Sequence, residues 1–175
     1  FVGNLFDMTR IESGMVKPRR EPVELEPLIG EVIARVGKLD PALKVETSIA
    51  EAMPPALADA QLLEQVLFNL LDNARKYAGT AEPVAIYVRR DGDMASISVT
   101  DQGRGIPGDE LEAVFEKFHR RARGDGRPAG TGLGLSIARG FVTAMGGTIK
   151  AESPAVRKRG TRFIVRLPLA LEGTP

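Results

Sequence analysis

Three polar side chains on one predicted helix are the residues of this sequence best suited to chemistry. Asn69, Asn73 and Lys76 stand at i, i+4 and i+7, so they project from the same side of a helix over residues 60–77. A buried helix does not need two asparagines, because each amide must find hydrogen-bond partners or cost free energy. The pattern therefore predicts a helix that binds a polar ligand; a polar face in contact with water is the alternative.

The remainder of this helix is suited to burial. Asp59 is placed to cap its N-terminus, and apolar residues recur on the side opposite the asparagines. These apolar residues are Leu63, Val66, Leu67, Leu70, Leu71 and Ala74.

A glycine-rich loop after a predicted strand supplies the second candidate site. Asp101 ends the strand, and Gly103 and Gly105 follow it. A carboxylate in this place can accept a hydrogen bond from an exocyclic amine, and the glycines let the backbone approach a flat ring closely. A glycine-rich turn with a solvated aspartate is the alternative.

The same loop matches the dinucleotide-binding pattern G-x-G-x-x-G at residues 103–108, but we reject that interpretation. The preceding strand belongs to a hairpin predicted by Asp91 and Gly92, whereas a dinucleotide site requires a parallel βαβ unit. Pro107 also interrupts the glycine turn, and the helix after it is short and polar.

The glycines of residues 130–134 precede a strongly amphipathic helix and form a third candidate site. Free N–H groups and the positive end of a helix make such an N-terminus suitable for an anion. The sequence G-x-x-x-x-G-K-[ST] does not occur, so this is not a P-loop. Glycines that serve only close packing and a hinge are the alternative.

Residues 119–129 are rich in arginine and glycine and lack a large apolar residue, so we expect this segment to be mobile. Because it lies between the two glycine loops, a lid over an anionic ligand is favoured over a solvated loop. His119 has no nearby carboxylate to orient it as a base, so we interpret it as an exposed or ligand-flanking side chain.

Composition excludes several functional classes. The chain has 175 residues, a formal net charge of +1, no cysteine and one histidine. The charge does not favour nucleic acid or a membrane surface as a partner, and the residue types make a zinc site or a disulfide framework implausible. Since the chain begins at Phe1 and has no membrane-spanning run, we expect a piece of a longer protein that does not itself contact a membrane.

Hydrophobic periodicity predicts an α/β fold. A first helix over residues 1–13 should stop at Gly14, and a basic linker with Pro18 and Pro22 should follow. A further helix with Pro27 in its first turn is expected, and another should run from the third glycine site to residues 146–147. Strands are predicted at residues 23–25, 44–49, 84–90, 94–101, 149–152 and 161–167.

In this order, the motifs resemble the nucleotide-binding domain of bacterial sensor histidine kinases, in the superfamily that also contains gyrase, Hsp90 and MutL. The matching segments are an asparagine box at residues 69–77, glycine boxes at 101–105 and 130–135, a phenylalanine box at 115–118 and a closing threonine motif at 160–161. Residues 4–14 resemble the end of the second dimerisation helix of these kinases. Together with residues 64–67 and 115–118, they are especially similar to the potassium-responsive KdpD type.

The resemblance implies a two-layer α/β sandwich of the Bergerat type, in which a mixed, mostly antiparallel sheet packs against helices. It also implies four parts along the chain. These are the end of a dimerisation helix at residues 1–14, a linker at 15–21, the ATP-binding catalytic domain at 22–170 and a tail at 171–175.

On the base side of the nucleotide, the resemblance implies that Asp101 hydrogen-bonds the adenine amino group with support from Thr161. Tyr77 and Ile106 would border the base. The expected nucleotide-binding set also includes Gly103, Gly105, Phe115, Lys117 and Phe118.

On the phosphate side, the resemblance implies that Asn73, assisted by Asn69, coordinates a Mg²⁺ ion that bridges the phosphates. Lys76 would contact phosphate oxygens, and we expect Asn69 and Lys76 to be the catalytic residues. The amides of residues 132–135 would cradle the phosphates, within a loop made of Gly130, Thr131, Gly132, Leu133, Gly134 and Leu135.

The implied function is donation of the ATP γ-phosphate to a histidine on a dimerisation domain, for relay to an aspartate of a response regulator. ATPase members of the superfamily carry a glutamate at position 69 that activates water, and an amide cannot act as that base. The family's acceptor histidine is absent from this chain, so autophosphorylation is not expected. A superfamily ATPase and a nucleotide-sensing module without transfer remain the alternatives. We expect a cytoplasmic domain, with a homodimeric parent that belongs to the inner membrane.

Overall fold

Helices pack on a five-stranded sheet in the computed structural model of the protein, which describes residues 1–79, 82–120 and 130–172. The helices are α1 (Val2–Glu12), α2 (Leu25–Leu39), α3 (Ala60–Tyr77) and α4 (Gly134–Ala144). The strands are β1 (Glu21–Val23), β2 (Val45–Ile49), β3 (Ala56–Ala58), β4 (Val84–Asp91), β5 (Met94–Asp101), β6 (Thr148–Glu152) and β7 (Thr161–Pro168).

The main sheet has the strand order β2-β4-β5-β7-β6. Within it, β2 pairs with β4 in parallel, and the other three pairings are antiparallel. The predicted fold class, a mixed and mostly antiparallel sheet packed against helices, is confirmed. None of the helices in the described part of the chain is long and apolar enough to span a membrane.

The β4–β5 hairpin turns where Asp91 and Gly92 predicted it, and Gly92 has the positive φ of +64° that such a turn requires. In β5 the alternating apolar residues Ala95, Ile97 and Val99 lie in the core. The polar side is partly covered as well, because β5 lies between two other strands; Arg162 of β7, for example, donates to Thr100 Oγ1 at 3.3 Å.

A second, two-stranded sheet was not predicted. β1 pairs with β3 antiparallel, and β3 begins immediately after Pro54 and Pro55. Ala56 and Ala58 are fully buried in the core, so burial of two small side chains stabilises this strand more than strand propensity does.

Two predicted elements near the chain start and middle differ from the structure, and a third is largely untested. The first strand occupies residues 21–23 instead of 23–25, because Leu25 is buried as the first residue of α2. The short helix expected after residue 108 is replaced by two 3₁₀ turns, Gly108–Glu110 and Ala113–Phe115. Of the predicted lid, residues 121–129 lie outside the described residues.

The apolar side of α3 forms the centre of the core, as predicted. All six of its predicted apolar residues are buried, and α4 contributes Ile137, Ala138, Phe141 and Val142 to the same cluster. Each fully buried large aliphatic or aromatic side chain contributes about 1.5–3 kcal/mol relative to exposure. Burial of this side turns the opposite, amide-bearing side of α3 toward residues 130–135, which we call the second glycine loop.

Two residues just before β1 contact the start of α3 and the end of α4. Asp59 caps α3 as predicted, since its Oδ1 accepts from the backbone N–H groups of Gln61 and Leu62 at 3.1 and 3.2 Å. Its Oδ2 accepts from the N–H of Arg19 at 2.9 Å. The Arg20 guanidinium donates to the Met145 carbonyl at 3.4 Å, where a cation complements the C-terminal end of α4.

The first helix ends as predicted and packs on α4. Gly14 has a φ of +67°, typical of the residue that follows a helix C-cap. A Cβ at Gly140 would lie 2.7 Å from Ile11 Cδ1, so glycine permits this close approach of α1 and α4. Glu12 forms an ion pair with Lys117, and Asn4 Nδ2 donates to Thr131 Oγ1 at 3.3 Å.

We expect Asp59→Ala to lower the free energy of unfolding by about 1–2 kcal/mol, because it removes the α3 cap and the partner of the Arg19 amide. Urea denaturation followed by circular dichroism would measure this change. The control is Asp93→Ala in the exposed turn of the β4–β5 hairpin, which should leave stability close to that of the unmodified chain. Equal midpoints for both variants would contradict the proposed importance of the cap.

Candidate functional site

One pocket brings together most of the side chains that the sequence singled out. It lies between α3, the loop after β5, the start of α4 and the first residue of β7. The predicted residues that line it are Asn69, Asn73, Lys76, Tyr77, Asp101, Gly105, Ile106, Gly130, Thr131, Gly132, Gly134, Leu135 and Thr161.

Asp101 is buried at one end of this pocket, with 4% of its surface exposed. Its Oδ1 accepts a hydrogen bond from the N–H of Gly103 at 2.8 Å, and Thr161 is its cross-strand partner on β7. A buried carboxylate needs hydrogen-bond donors, and the pocket offers it a place where a ligand amine can supply one. The geometry is therefore suited to recognition of an exocyclic amine.

Glycines allow the backbone segments around Asp101 to approach one another. Gly160 has a φ of +84°, and a Cβ there would lie 2.1 Å from the Asp101 carbonyl oxygen. A Cβ at Gly103 would lie 2.6 Å from the carbonyl oxygen of Tyr77. Gly103 thus packs against the end of α3 and does not line the pocket.

The two asparagines of α3 have different surroundings. Asn69 is 9% exposed; its Oδ1 accepts from Gln65 Nε2 at 3.0 Å and its Nδ2 donates to the Gly134 carbonyl at 3.0 Å. Asn73 lines the same pocket and is only partly buried, and its side chain makes no hydrogen bond to another described residue. Asn69 is thus fixed by protein partners, whereas the Asn73 amide is available to a ligand.

Lys76 is held at the pocket wall by Asp72. Lys76 Nζ lies 2.8 Å from Asp72 Oδ2, and Arg75 donates to Asp72 Oδ1 at 2.7 and 2.9 Å. Burial would raise the pKa of the Asp72 carboxyl, but hydrogen bonds from Lys76 and Arg75 and their charges outweigh it, so the pKa lies below its usual value. Asp72 thus bridges two cations, of which Lys76 lines the pocket and Arg75 does not.

The second glycine loop approaches the pocket from the other side. Gly132 has a φ of +74°, and its carbonyl accepts from the Phe118 N–H at 2.9 Å. Lys76 Nζ would lie only 2.9 Å from a Cβ at Gly130, so the ammonium extends from α3 to this loop. Since α4 begins at Gly134, its positive N-terminal end also faces the pocket.

Five predicted site residues do not line the pocket: Gly103, Phe115, Lys117, Phe118 and Leu133. Leu133 and Phe115 are core residues, and Phe115 packs edge-to-face on the pocket residue Phe163 with ring centroids 6.0 Å apart. Lys117 pairs with Glu12, and Phe118 is 57% exposed. These side chains support the site or face away from it.

Other pocket residues were not predicted. Gln65 and Asp72 lie at i−4 and i+3 from Asn69, where helical spacing could have identified them, and Phe68 also lines the pocket. Val114, Phe163 and Asn4 have no comparable signal, because only the fold brings them near the motifs. His119 also lines the pocket, and Glu110 Oε2 lies 3.6 Å from its Nε2, so the expectation that no carboxylate is near it was wrong.

Comparison with known proteins agrees with this geometry. Residues 58–171 match the family described as histidine kinase-, DNA gyrase B- and HSP90-like ATPase. The sensor protein KdpD of Escherichia coli K12 is 37% identical over 95% of this chain, and the chain spans 18% of that protein's length.

Solved structures give the same result. The mycobacterial sensor histidine kinase MprB superposes with a TM-score of 0.73 at 31% identity, covering 86% of this chain and 97% of that one. Full-length ShkA in complex with AMPPNP superposes with a TM-score of 0.82 at 26% identity, covering 99% of this chain and 36% of that one. The chain therefore belongs to the histidine kinase-, DNA gyrase B- and HSP90-like ATPase family, and within it to the ATP-binding catalytic domains of sensor histidine kinases.

Proposed function

We propose that this domain binds Mg·ATP in the pocket and donates the γ-phosphate to a histidine on the dimerisation domain of a dimeric parent. The phosphoryl group would then pass to a response-regulator aspartate. The observation that carries the proposal is the meeting, in one pocket, of a buried carboxylate, two asparagines, a lysine and a helix N-terminus. These groups match in order the amine, metal and phosphates of a nucleotide.

At the base end, the Asp101 carboxylate would accept a hydrogen bond from the adenine amino group. A guanine presents a carbonyl at the equivalent position, and two acceptors facing each other in a buried site are unfavourable. Tyr77 and Ile106, which line the pocket beside Asp101, would border the ring.

The residues present fit a magnesium ion that arrives with the nucleotide. No group of three or more His, Cys, Asp or Glu side chains that could hold a metal occurs in the described ranges. Mg²⁺ commonly keeps several waters and is held by substrate phosphates together with one or two protein oxygens. The Asn73 and Asn69 amide oxygens would supply those ligands, and the metal would neutralise charge on the phosphates.

Lys76 and the second glycine loop would hold the phosphates. An ammonium has three donors, and the bond to Asp72 uses one of them, so two remain for phosphate oxygens. The first N–H groups of α4 have no carbonyl partner within the helix and point from its positive end. Together these groups would fix the triphosphate for in-line transfer.

Asn69 favours transfer to a protein over hydrolysis. Its amide is buried and held by Gln65 and Gly134, and an amide cannot remove a proton from water.

Residues 1–14 would be the end of the second dimerisation helix, 15–21 the linker, 22–170 the catalytic domain and 171–175 a tail. The chain would thus be the donor half of a cytoplasmic phosphotransferase.

The first test is transfer in trans. Incubated alone with labelled ATP, the chain should not become labelled, because it lacks the acceptor histidine. Addition of the histidine-bearing dimerisation domain of a KdpD relative should produce phosphohistidine on the added domain, at a low rate because the tether's effective concentration is lost. Stable label on His119 would contradict the proposal, and steady phosphate release without an acceptor would favour an ATPase.

For the base end, Asp101→Asn should weaken ATP affinity about tenfold or more and reduce the preference for adenine over guanine nucleotides. Calorimetric titration with non-hydrolysable ATP and GTP analogues measures both effects. The control is Asp91→Asn, which removes an ion pair with Arg166 away from the pocket and should leave both affinities unchanged. Unaltered ATP affinity in Asp101→Asn would refute the adenine contact.

For the metal, we expect no Mg²⁺ binding by the nucleotide-free domain, since its ligands would be two neutral amides. Mg²⁺ should raise the affinity for the ATP analogue, and Asn73→Ala should remove most of that gain while leaving the affinity in EDTA unchanged. Titrations in Mg²⁺ and in EDTA separate the two quantities. The same Mg²⁺-dependent gain in Asn73→Ala and in the unmodified chain would exclude Asn73 as a ligand.

A further inference from the structure

Gln65 was not predicted as a site residue, but its side chain forms a hydrogen bond with Asn69. Gln65 lies one turn before Asn69 on α3 and lines the same pocket. Its Nε2 donates to Asn69 Oδ1 at 3.0 Å, and Asn69 Nδ2 donates to the carbonyl of Gly134 at 3.0 Å. These two bonds form a chain from α3, through a buried amide, to the first residue of α4.

This chain sets which way the Asn69 amide points. The Gly134 carbonyl can only accept, so it must face Nδ2, and Oδ1 is directed toward Gln65. The terminal χ2 torsion of asparagine has a broad distribution, so a single contact would leave the amide able to rotate about it. The second contact, from Gln65, restrains that rotation and occupies one of the two lone pairs of Oδ1.

Asn73 provides a contrast on the same helix. Its side chain lines the pocket one turn beyond Asn69, but no described residue holds its amide by a hydrogen bond. One asparagine is therefore held in place before any ligand arrives, and the other can adjust. The two amides therefore differ in how far the protein fixes them before a ligand binds.

We propose that Gln65 is a positioning residue that holds the Asn69 oxygen so that its second lone pair is presented to Mg²⁺. The proposal rests on the proposed function, because it requires Asn69 to be a metal ligand. Groups that orient a metal ligand by hydrogen bonding commonly change metal affinity by about 10–100-fold when they are removed. Since the Asn69 chain also reaches Gly134, Gln65 would keep the metal ligand in register with the phosphate-binding end of α4.

The alternative is that Gln65 only stabilises α3. A stabilising residue would change affinity equally with and without metal, or not at all, whereas a positioning residue changes only the metal-dependent part. Gln61 offers a matched control, because it lies one turn earlier on α3 and its side chain is exposed outside the pocket.

The test compares Gln65→Met, which keeps side-chain length without the donor, with Gln61→Met. Titration of the non-hydrolysable ATP analogue in Mg²⁺ should show about a tenfold loss for Gln65→Met and none for Gln61→Met. The affinity of both variants in EDTA should equal that of the unmodified chain. Equal losses of affinity in Mg²⁺ and in EDTA, or no loss, would overturn the positioning role.

A second measurement is made on the nucleotide-free domain by NMR. In Gln65→Met the side-chain amide signals of Asn69 should shift and broaden, while those of Asn73 should stay where they are. Unchanged Asn69 signals would overturn the proposal while leaving the proposed function intact. An unmodified chain whose nucleotide affinity does not respond to Mg²⁺ would overturn the metal site, and with it both proposals.

Discussion

Burial of the apolar side of α3 is the constraint on which the rest of the structure depends. Leu63, Leu67 and Leu70 are fully enclosed, so α3 cannot rotate about its axis without exposing them. Because the orientation of α3 about its axis is fixed, Asn69, Asn73 and Lys76 lie opposite the loop before α4. The pocket thus owes its polar wall to hydrophobic packing on the other side of the same helix.

Hydrogen bonds and ion pairs within the protein are a second constraint on the side chains of the pocket. Asn69 is held through both atoms of its amide, and Lys76 through Asp72, whereas Asn73 has no such support within the described residues. A buried polar group without a partner costs free energy, so a site built before its ligand arrives must provide internal partners. In this pocket Asn73 lacks a partner among the described residues, and a ligand can supply one.

Much of the fold was accessible from the sequence because its signals were local. The bounds of α3 followed from helical periodicity and the Asp59 cap, and the β4–β5 hairpin from Asp91 and Gly92. β3 was missed because three residues after two prolines carry no periodicity, and its burial depends on contacts far away in the chain. The same reason explains Phe115 and Leu133, whose motif positions suggested a ligand but whose side chains lie in the core.

The candidate site was predicted best where one helix presents several residues, and least well where separate segments meet. Gln65 and Asp72 could have been found by extending the helical spacing around Asn69, but Gly103 and Phe118 could not have been excluded without the fold. Spacing identifies which side of an element a residue occupies. It does not identify what stands opposite.

The contact between Asn4 and Thr131 shows that the site extends beyond the part of the chain shared by the whole family. The family match begins at residue 58, yet Asn4 of α1 forms part of the pocket wall. A fragment trimmed to residues 58–171 would contain the asparagines, Asp101 and the second glycine loop, but it would lack Asn4 from the pocket wall and the core residues of α2. The site is thus completed by a helix that a definition based on family boundaries would cut away.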